Sequence, residues 1–201
     1  YDEIHLTEKS KIRENSNIKV SAIVSVYNSG RFIKGCLEDL TSQSLFKKGM
    51  LEIVLVNCGD DKIDALEINR YKAKYSNISH IKLDKKVGIY KAWNIGIKAA
   101  SGEYITNANT DDRHRNDALE IMLSVFDSNK DVDLVYADSY KTGKANDTYN
   151  STTAKGLIKW LDYDSDLLLF DCYIGPQPMW KKSFHDKFCF FNEQLEIFVD
   201  Y

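Results

Sequence analysis

The chain has 201 residues, of which 43% are hydrophobic and 28% charged, with 10 glycines and 2 prolines. This composition excludes a fibre or a disordered tail and predicts one globular domain. The 27 basic and 30 acidic side chains give a formal charge of −3, which argues against nucleic-acid binding through phosphate neutralisation. No apolar run reaches the roughly 18 residues of a membrane span, and the opening Tyr1-Asp2-Glu3 lacks the features of a secretory signal. We therefore predict a cytoplasmic protein without a transmembrane segment, compatible with peripheral contact at the cytoplasmic membrane face.

The predicted domain follows a polar extension over residues 1–17 and occupies residues 18–201. An apolar run from Val20 to Val26 predicts the first strand. A turn at 28–30 leads into a helix, whose apolar residues recur at helical spacing from Phe32 to Leu40. The domain therefore opens as strand, turn and helix.

The same pattern continues through residue 137. Further strands are predicted at 51–56, 81–83, 103–106 and 133–137, and further helices from Ile63, over 89–100 and over 119–126. The chain then becomes polar, until Leu157, Trp160 and Leu161 predict one more helix. Apolar strands that alternate with helices are typical of a mainly parallel sheet covered on both faces. We predict an α/β three-layer sandwich that binds ligands beyond the carboxyl ends of its strands.

The most informative strand-end loop covers residues 107–112, in which Asp111 and Asp112 follow asparagine and threonine side chains. Oxygen donors of this kind hold hard divalent cations such as Mg²⁺ or Mn²⁺. A cation there would bridge a diphosphate in a chain that has no excess of basic residues. An aspartate pair before a helix is also typical of a solvated N-cap, so both interpretations stay open.

The chain contains a series of motif-like stretches, namely VSAIVSVYN at 20–28, GIYKAWNIGI at 88–97, GEYI at 102–105, TDDR at 110–113, GPQPMW at 175–180 and FNE at 191–193. In this order they resemble the motifs of the family 2 glycosyltransferases. The resemblance implies a Rossmann-like GT-A fold and inverting transfer of a sugar from a nucleotide-sugar, a UDP-sugar above all. It leaves the acceptor as a glycan, a lipid-linked molecule or a protein.

The same resemblance implies roles for residues at the strand ends. Tyr27 and the adjacent Asn28 would contact the nucleobase, and Asp111 would contact the ribose. Asp112 would hold a Mn²⁺ or Mg²⁺ ion that bridges the diphosphate.

One position departs from the pattern of that family. Many members carry an acidic pair after the second strand, whose second carboxylate accepts a hydrogen bond from uracil, whereas this chain has Asn57 and Cys58. A thiol is a poor acceptor. Either Asn57 or Asp60 therefore replaces that contact, or backbone groups hold the base. Asp60 and Asp61 are also typical of a turn and a helix cap.

Three further side chains are candidates for contact with the donor or the metal. Gly88 opens a helix whose free amides favour an anion, so Lys91 is a candidate phosphate contact and Asn94 a candidate donor contact. His114, directly after Arg113, is a candidate ligand of the metal or the phosphate. The alternative for His114 is a solvated, basic helix start.

An inverting displacement needs a base for the acceptor hydroxyl, and the resemblance implies that Asp200 has this role. Members of the family continue beyond this motif, so the chain resembles a domain truncated at its C-terminus. We expect nucleotide binding with little or no transfer, because a base acts only when it is held in place. One alternative is a non-catalytic nucleotide- or glycan-binding module. The other is a sugar nucleotidyltransferase, whose glycine-rich basic loop is poorly matched by YNSGR at 27–31.

Overall fold

A computed structural model describes residues 17–154 and 156–195 of the chain. The elements in chain order are β1 Val20–Val26, α1 Ile33–Ser42, α2 Ser44–Lys47, β2 Leu51–Asn57, α3 Lys62–Lys74, β3 Ile78–Lys82, α4 Ile89–Ala99, β4 Tyr104–Asn107, α5 Ala118–Ser128, β5 Leu134–Val135, β6 Ser139–Lys141, β7 Gly156–Ile158, a 3₁₀ turn Leu167–Leu169, β8 Met179–Lys181 and α6 Phe184–Phe188. Six of the strands form one sheet in the order β3-β2-β1-β4-β8-β5. The predicted α/β class with a mainly parallel central sheet is confirmed.

The strand order of the sheet reverses direction at β1. β1 pairs in parallel with both β2 and β4, and β2 pairs in parallel with β3. The chain thus runs outward from β1 to β3 and then returns to place β4 on the other side of β1. In open α/β sheets, ligands bind beyond the carboxyl ends of the strands at such a reversal.

The sheet is apolar because helices cover both of its faces. On one face, Ile33 and Leu37 of α1 and Phe126 of α5 join a core with alternate residues of β1. On the other face, Ile97 of α4 packs with Ile23 in a smaller core. A Cβ on Gly96 would lie 2.4 Å from the Ile23 Cγ2 atom, so α4 approaches β1 too closely for any larger side chain there.

Several predicted elements differ from the structure. The helix predicted around Leu157, Trp160 and Leu161 is wrong, since Gly156–Ile158 forms β7, which pairs antiparallel with β6. Leu157 and Leu161 are 48% and 52% exposed, so these apolar residues do not form a buried helical face. The fifth predicted strand is reduced to the two residues of β5.

The sheet also contains a strand that periodicity did not predict. β8 inserts between β4 and β5 and pairs antiparallel with both. Three residues are too few to show an alternating pattern, yet Met179 and Trp180 are buried. The third strand begins at Ile78, three residues before the predicted start, because its polar Ser79 and His80 conceal the apolar pattern.

Helix α3 buries a face different from the one that its first apolar residues suggest. Ile63 and Leu66 are 54% and 66% exposed, whereas Ile68 and Asp64 are buried.

No helix within residues 17–154 and 156–195 has both the length and the apolar character that a membrane crossing requires. The predicted extension over residues 1–17 lies, except for Asn17, outside the described residues.

Candidate functional site

The loops after β1, β2 and β4 meet at the carboxyl edge of the sheet. The backbone amide of Cys58 donates to the carbonyl of Val26 at 3.0 Å. A Cβ on Gly59 would lie 2.9 Å from the backbone nitrogen of Asn28, so the turns after β1 and β2 touch. The hydroxyl groups of Thr110 and Ser29 are 3.3 Å apart, which joins the loop after β4 to the same cluster. The loops that follow β1, β2 and β4 are therefore adjacent.

The turn after β1 presents an aromatic ring at this edge. Tyr27 is 45% exposed, and the ammonium group of Lys86 lies 4.4 Å from its ring centroid. Asn28 has φ of 50°, a left-handed conformation that asparagine tolerates better than most residues. An exposed ring on such a turn can stack against a planar base.

The same turn is anchored to helix α3 by buried polar contacts. The Ser29 amide donates to Oδ2 of Asp64 at 2.8 Å. Asp61 is the N-cap of α3, and its side chain accepts from the amides of Ile63 and Asp64. The interpretation of Asp61 as a helix cap is thus confirmed. Burial raises the pKa of Asp64, and the Ser29 amide partly offsets that effect.

The side chains of the turn after β2 differ in their burial and in their partners. Oδ1 of Asn57 accepts from the amide of Gly59 at 2.8 Å, and the Cys58 thiol lies 3.6 Å from the carbonyl of Val26. Both side chains are buried. The Asp60 side chain is 98% exposed and pairs with Lys82 at 2.9 Å. Of these three side chains, that of Asp60 is the one accessible to a ligand.

The acidic pair lies in the loop after β4, beginning four residues beyond Asn107, the last residue of the strand. Asp111 is exposed and Asp112 is half-buried. Oδ2 of Asp112 accepts from Nδ2 of Asn109 at 3.1 Å and from Nε2 of Gln177 at 3.3 Å. Burial, followed by the charge of Asp111, raises the pKa of Asp112. A carboxylate in this position is stabilised by a nearby cation.

The donor set at the end of β4 fits a hard divalent cation that also binds a diphosphate. Both hydrogen bonds that described side chains give to Asp112 go to Oδ2, which leaves Oδ1 for a cation. In residues 17–154 and 156–195, no three His, Cys, Asp or Glu side chains are grouped to hold a metal by themselves. Mg²⁺ is typically bound by one or two carboxylates together with substrate phosphates and water, and this arrangement suits the pair.

A buried ion pair fixes the chain immediately after the acidic pair. Arg113 donates through Nε and Nη2 to the two carboxylate oxygens of Asp39 at 2.6 and 2.9 Å. The amide of His114 donates to the same Asp39 at 3.0 Å. Nη1 of Arg113 donates to the carbonyl of Asn146 at 3.2 Å. The Arg113 guanidinium is thus directed toward α1 and holds the acidic loop there.

His114 is buried, so the alternative of a solvated basic helix start is wrong for this side chain. Both ring nitrogens lack a hydrogen-bond partner in the part of the chain that the structure describes. Burial lowers the pKa of His114 to about 4, so the ring is neutral near pH 7. Its role as a ligand of the metal or the phosphate stays a prediction.

The two candidates on α4 lie in different surroundings. Lys91 is exposed in the first turn of α4. Asn94 is buried, and its amide group exchanges hydrogen bonds with the backbone of Phe191 and donates to Glu193. These contacts give Asn94 partners within the protein, and its predicted contact with a donor stays a prediction. Asp200 lies outside the described residues.

Three residues of the site were not identified from the sequence. Gln177, Asp39 and Asp64 hold Asp112, Arg113 and Ser29 respectively. For Asp39 the signal was its place on α1 between Cys36 and Leu40, which are both apolar and buried. For Gln177, which has φ of 63°, the signal was its place in the GPQPMW stretch at 175–180, one of the motifs that carry the family resemblance.

The chain is similar to known proteins along most of its length. The model of Glycosyl transferase family 2 matches residues 21–189. The poly(ribitol-phosphate) beta-glucosyltransferase of Bacillus spizizenii is 33% identical over 175 residues, which cover 83% of this chain and 25% of that protein.

Two solved structures share the fold. S. aureus TarS in complex with UDP aligns with a TM-score of 0.70 and 22% identity over 90% of this chain and 52% of that one. A mannosyltransferase from Pyrobaculum calidifontis, in complex with GDP-Man and Mn²⁺, aligns with a TM-score of 0.64 and 15% identity over 87% of this chain and 48% of that one. The chain thus spans between 25% and 52% of the length of these three proteins.

Proposed function

Because this chain belongs to glycosyl transferase family 2, we propose that it binds a nucleotide-sugar at the carboxyl edge of its sheet and takes part in transferring the sugar to an acceptor. The donor proposed is a UDP-sugar, and the acceptor classes are a glycan, a lipid-linked molecule or a protein. TarS, which shares the fold, was solved with UDP, and this supports the choice of uridine.

The observation that carries the proposal is the position of the acidic pair. Asp111 and Asp112 follow β4 where the strand order reverses, and Thr110 contacts Ser29 of the loop after β1. Asp112 is half-buried with a raised pKa. A solvated N-cap would have neither property, so the pair is better suited to a cationic ligand than to capping.

We assign the donor contacts from this geometry. Tyr27 stacks against the base, and Asp60 replaces the missing uracil acceptor because Asn57 and Cys58 are buried within the turn. Asp111, the exposed member of the pair, is available to the ribose hydroxyls.

We assign the contacts to the diphosphate from the charges of the side chains at the site. Asp112 would hold the divalent cation, which supplies compensation for the negative charge that builds on the diphosphate leaving group. Lys91, exposed in the first turn of α4, adds a positive charge near the amides of that helix end. Asp200 is proposed to accept the proton of the acceptor hydroxyl as this oxygen forms its bond to the anomeric carbon.

The proposal is tested by titration calorimetry of UDP in the presence of Mn²⁺. We expect Asp112→Asn to weaken binding by about a hundredfold and to abolish its dependence on Mn²⁺. The matched control is Asp131→Asn, which removes an exposed carboxylate from the loop before β5. Unchanged affinity in Asp112→Asn, with an unchanged circular dichroism spectrum, would exclude this metal site.

The donor itself is identified by a thermal-shift screen of nucleoside diphosphates and nucleotide-sugars, with and without Mn²⁺. A ligand that binds only the folded state raises its stability with the logarithm of saturation. A larger shift with a guanine or adenine nucleotide than with UDP would reject the uridine assignment while keeping the site.

A further inference from the structure

We infer that Asn94 is a positioning residue, which ties the segment Phe191–Glu193 to the donor-side helix α4 and so holds the chain that leads to the proposed base. The inference rests on the proposed function, because the base matters only to a transferase. It differs from the role predicted for Asn94 from the sequence, which was direct contact with the donor.

The carboxamide of Asn94 is matched to the backbone of Phe191. Oδ1 of Asn94 accepts from the amide of Phe191 at 3.0 Å, and Nδ2 donates to the carbonyl of Phe191 at 2.9 Å. Nδ2 also donates to Oε1 of Glu193 at 3.0 Å. Both donor hydrogens and one acceptor position are therefore used within the protein. Asn94 is 1% exposed, which leaves its amide little access to a nucleotide.

Aromatic contacts fix the ring of Phe191 beside this pairing. Phe191 stacks on Tyr90 with ring centroids 5.6 Å apart and meets Trp93 edge-on at 5.5 Å. Trp180 of β8 approaches the same ring at 6.3 Å. Tyr90 and Trp93 belong to the first turns of α4, the helix end that faces the carboxyl edge of the sheet. Phe191 is thus held from α4 and from the sheet together.

This attachment connects two parts of the proposed reaction. Helix α4 carries Lys91 on its exposed side and Asn94 on its buried side. We call the hydrogen bonds of Asn94 to Phe191 and Glu193 the clamp. Glu193 lies seven residues before Asp200 in the sequence, so the clamp fixes the chain shortly before the proposed base. A side chain that orders such a segment affects turnover through geometry, with little effect on donor affinity.

The test reverses the hydrogen-bonding polarity of the clamp. Asn94→Asp replaces the donating NH₂ by an oxygen that faces the Phe191 carbonyl and the Glu193 carboxylate. In Asn94→Asp/Glu193→Gln, the new glutamine amide donates to the new carboxylate and restores one link. The control is Asn116→Asp, which introduces the same charge at an exposed asparagine before α5.

Three measurements on the 201-residue chain separate positioning from donor contact. Hydrogen exchange at the Phe191 amide should accelerate about tenfold or more in Asn94→Asp, with partial recovery in the double variant. The affinity for UDP with Mn²⁺ should stay within about twofold of wild type. Hydrolysis of the donor by water, which needs no bound acceptor, should lose about tenfold or more in kcat in Asn94→Asp, with KM nearly unchanged and kcat partly recovered in the double variant.

The outcomes distinguish this inference from the proposed function. Loss of UDP affinity in step with kcat, without recovery in the double variant, would overturn the positioning role and return Asn94 to the donor site. Accelerated exchange at Phe191 with unchanged kcat would also overturn it. A wild-type chain that binds no nucleotide-sugar would refute the proposed function, whereas exchange at Phe191 would still report whether the clamp exists.

Discussion

The buried ion pair between Asp39 and Arg113 offers the sharpest test of how the acidic loop is held. The two side chains are each 11% exposed, with Nε of Arg113 2.6 Å from Oδ2 of Asp39. Replacing Arg113 by methionine keeps an unbranched, apolar stem but removes the charge. Asp39 then retains only the amide of His114 as a partner among the contacts described above.

The expected cost follows from the unpaired carboxylate. Breaking a buried ion pair from one side typically costs about 3–5 kcal/mol, because the remaining charge is left without compensation. We therefore expect Arg113→Met to lower the free energy of unfolding by about 3 kcal/mol or more. Adding Asp39→Asn removes the buried charge and keeps an oxygen acceptor for His114, so the double variant should recover about 1–2 kcal/mol.

Urea unfolding followed by circular dichroism measures these differences. The control is Lys34→Met, which breaks the exposed pair with Glu38 on the same helix, where the charged atoms are 3.8 Å apart and the side chains are 59% and 49% exposed. That pair should contribute no more than about 0.5 kcal/mol. If Arg113→Met costs no more than Lys34→Met, or if Asp39→Asn lowers the stability of Arg113→Met further, the reasoning is wrong.

Two further predictions concern the turn after β2 and the edge strand β3. Gly59→Ala places a Cβ 2.9 Å from the backbone nitrogen of Asn28, so we expect a loss of about 1–3 kcal/mol in stability and weaker UDP binding, both measured against Gly143→Ala, where nothing lies within 4 Å. Equal stability and affinity of the two variants would show that the turns separate without cost. Burial, followed by the charges of nearby lysines, lowers the pKa of His80 from 6.5 to about 4, so between these values the unfolded chain binds more protons and stability falls as the pH is lowered. His80→Gln should flatten that fall in urea titrations across this pH range, and an unchanged slope would contradict the assignment.

Local patterns predicted the elements that place the site. The apolar runs predicted at 20–26 and 51–56 correspond to β1 and β2, which are buried on both faces, because parallel strands beneath helices have no polar face. The helical spacing from Ile89 onward corresponds to α4, whose Ile97 and Ala92 are buried. These features depend on residues close together in the sequence, and periodicity reports them directly.

Such patterns do not predict the hydrogen-bond and ion-pair partners of the polar side chains. Gln177 reaches Asp112 across 65 residues, and Arg113 reaches Asp39 across 74. Each contact depends on two segments that meet only after the sheet has formed. Periodicity shows which face of a segment is apolar, but it does not show which distant group satisfies a polar atom.

The sequence by itself therefore determined the α/β class, the order of the first four strands along the chain and the acidic pair that follows β4. Only the tertiary structure decided that β8 enters the sheet beside β4, that the guanidinium of Arg113 pairs with Asp39, and that Asn94 holds Phe191. The physical reason is that burial of apolar area is non-directional and stabilises a helix or strand wherever its apolar face packs. The pattern within one segment therefore predicts that segment's type. A hydrogen bond needs its donor and acceptor within about 3 Å of each other, a condition that the folded chain as a whole has to meet.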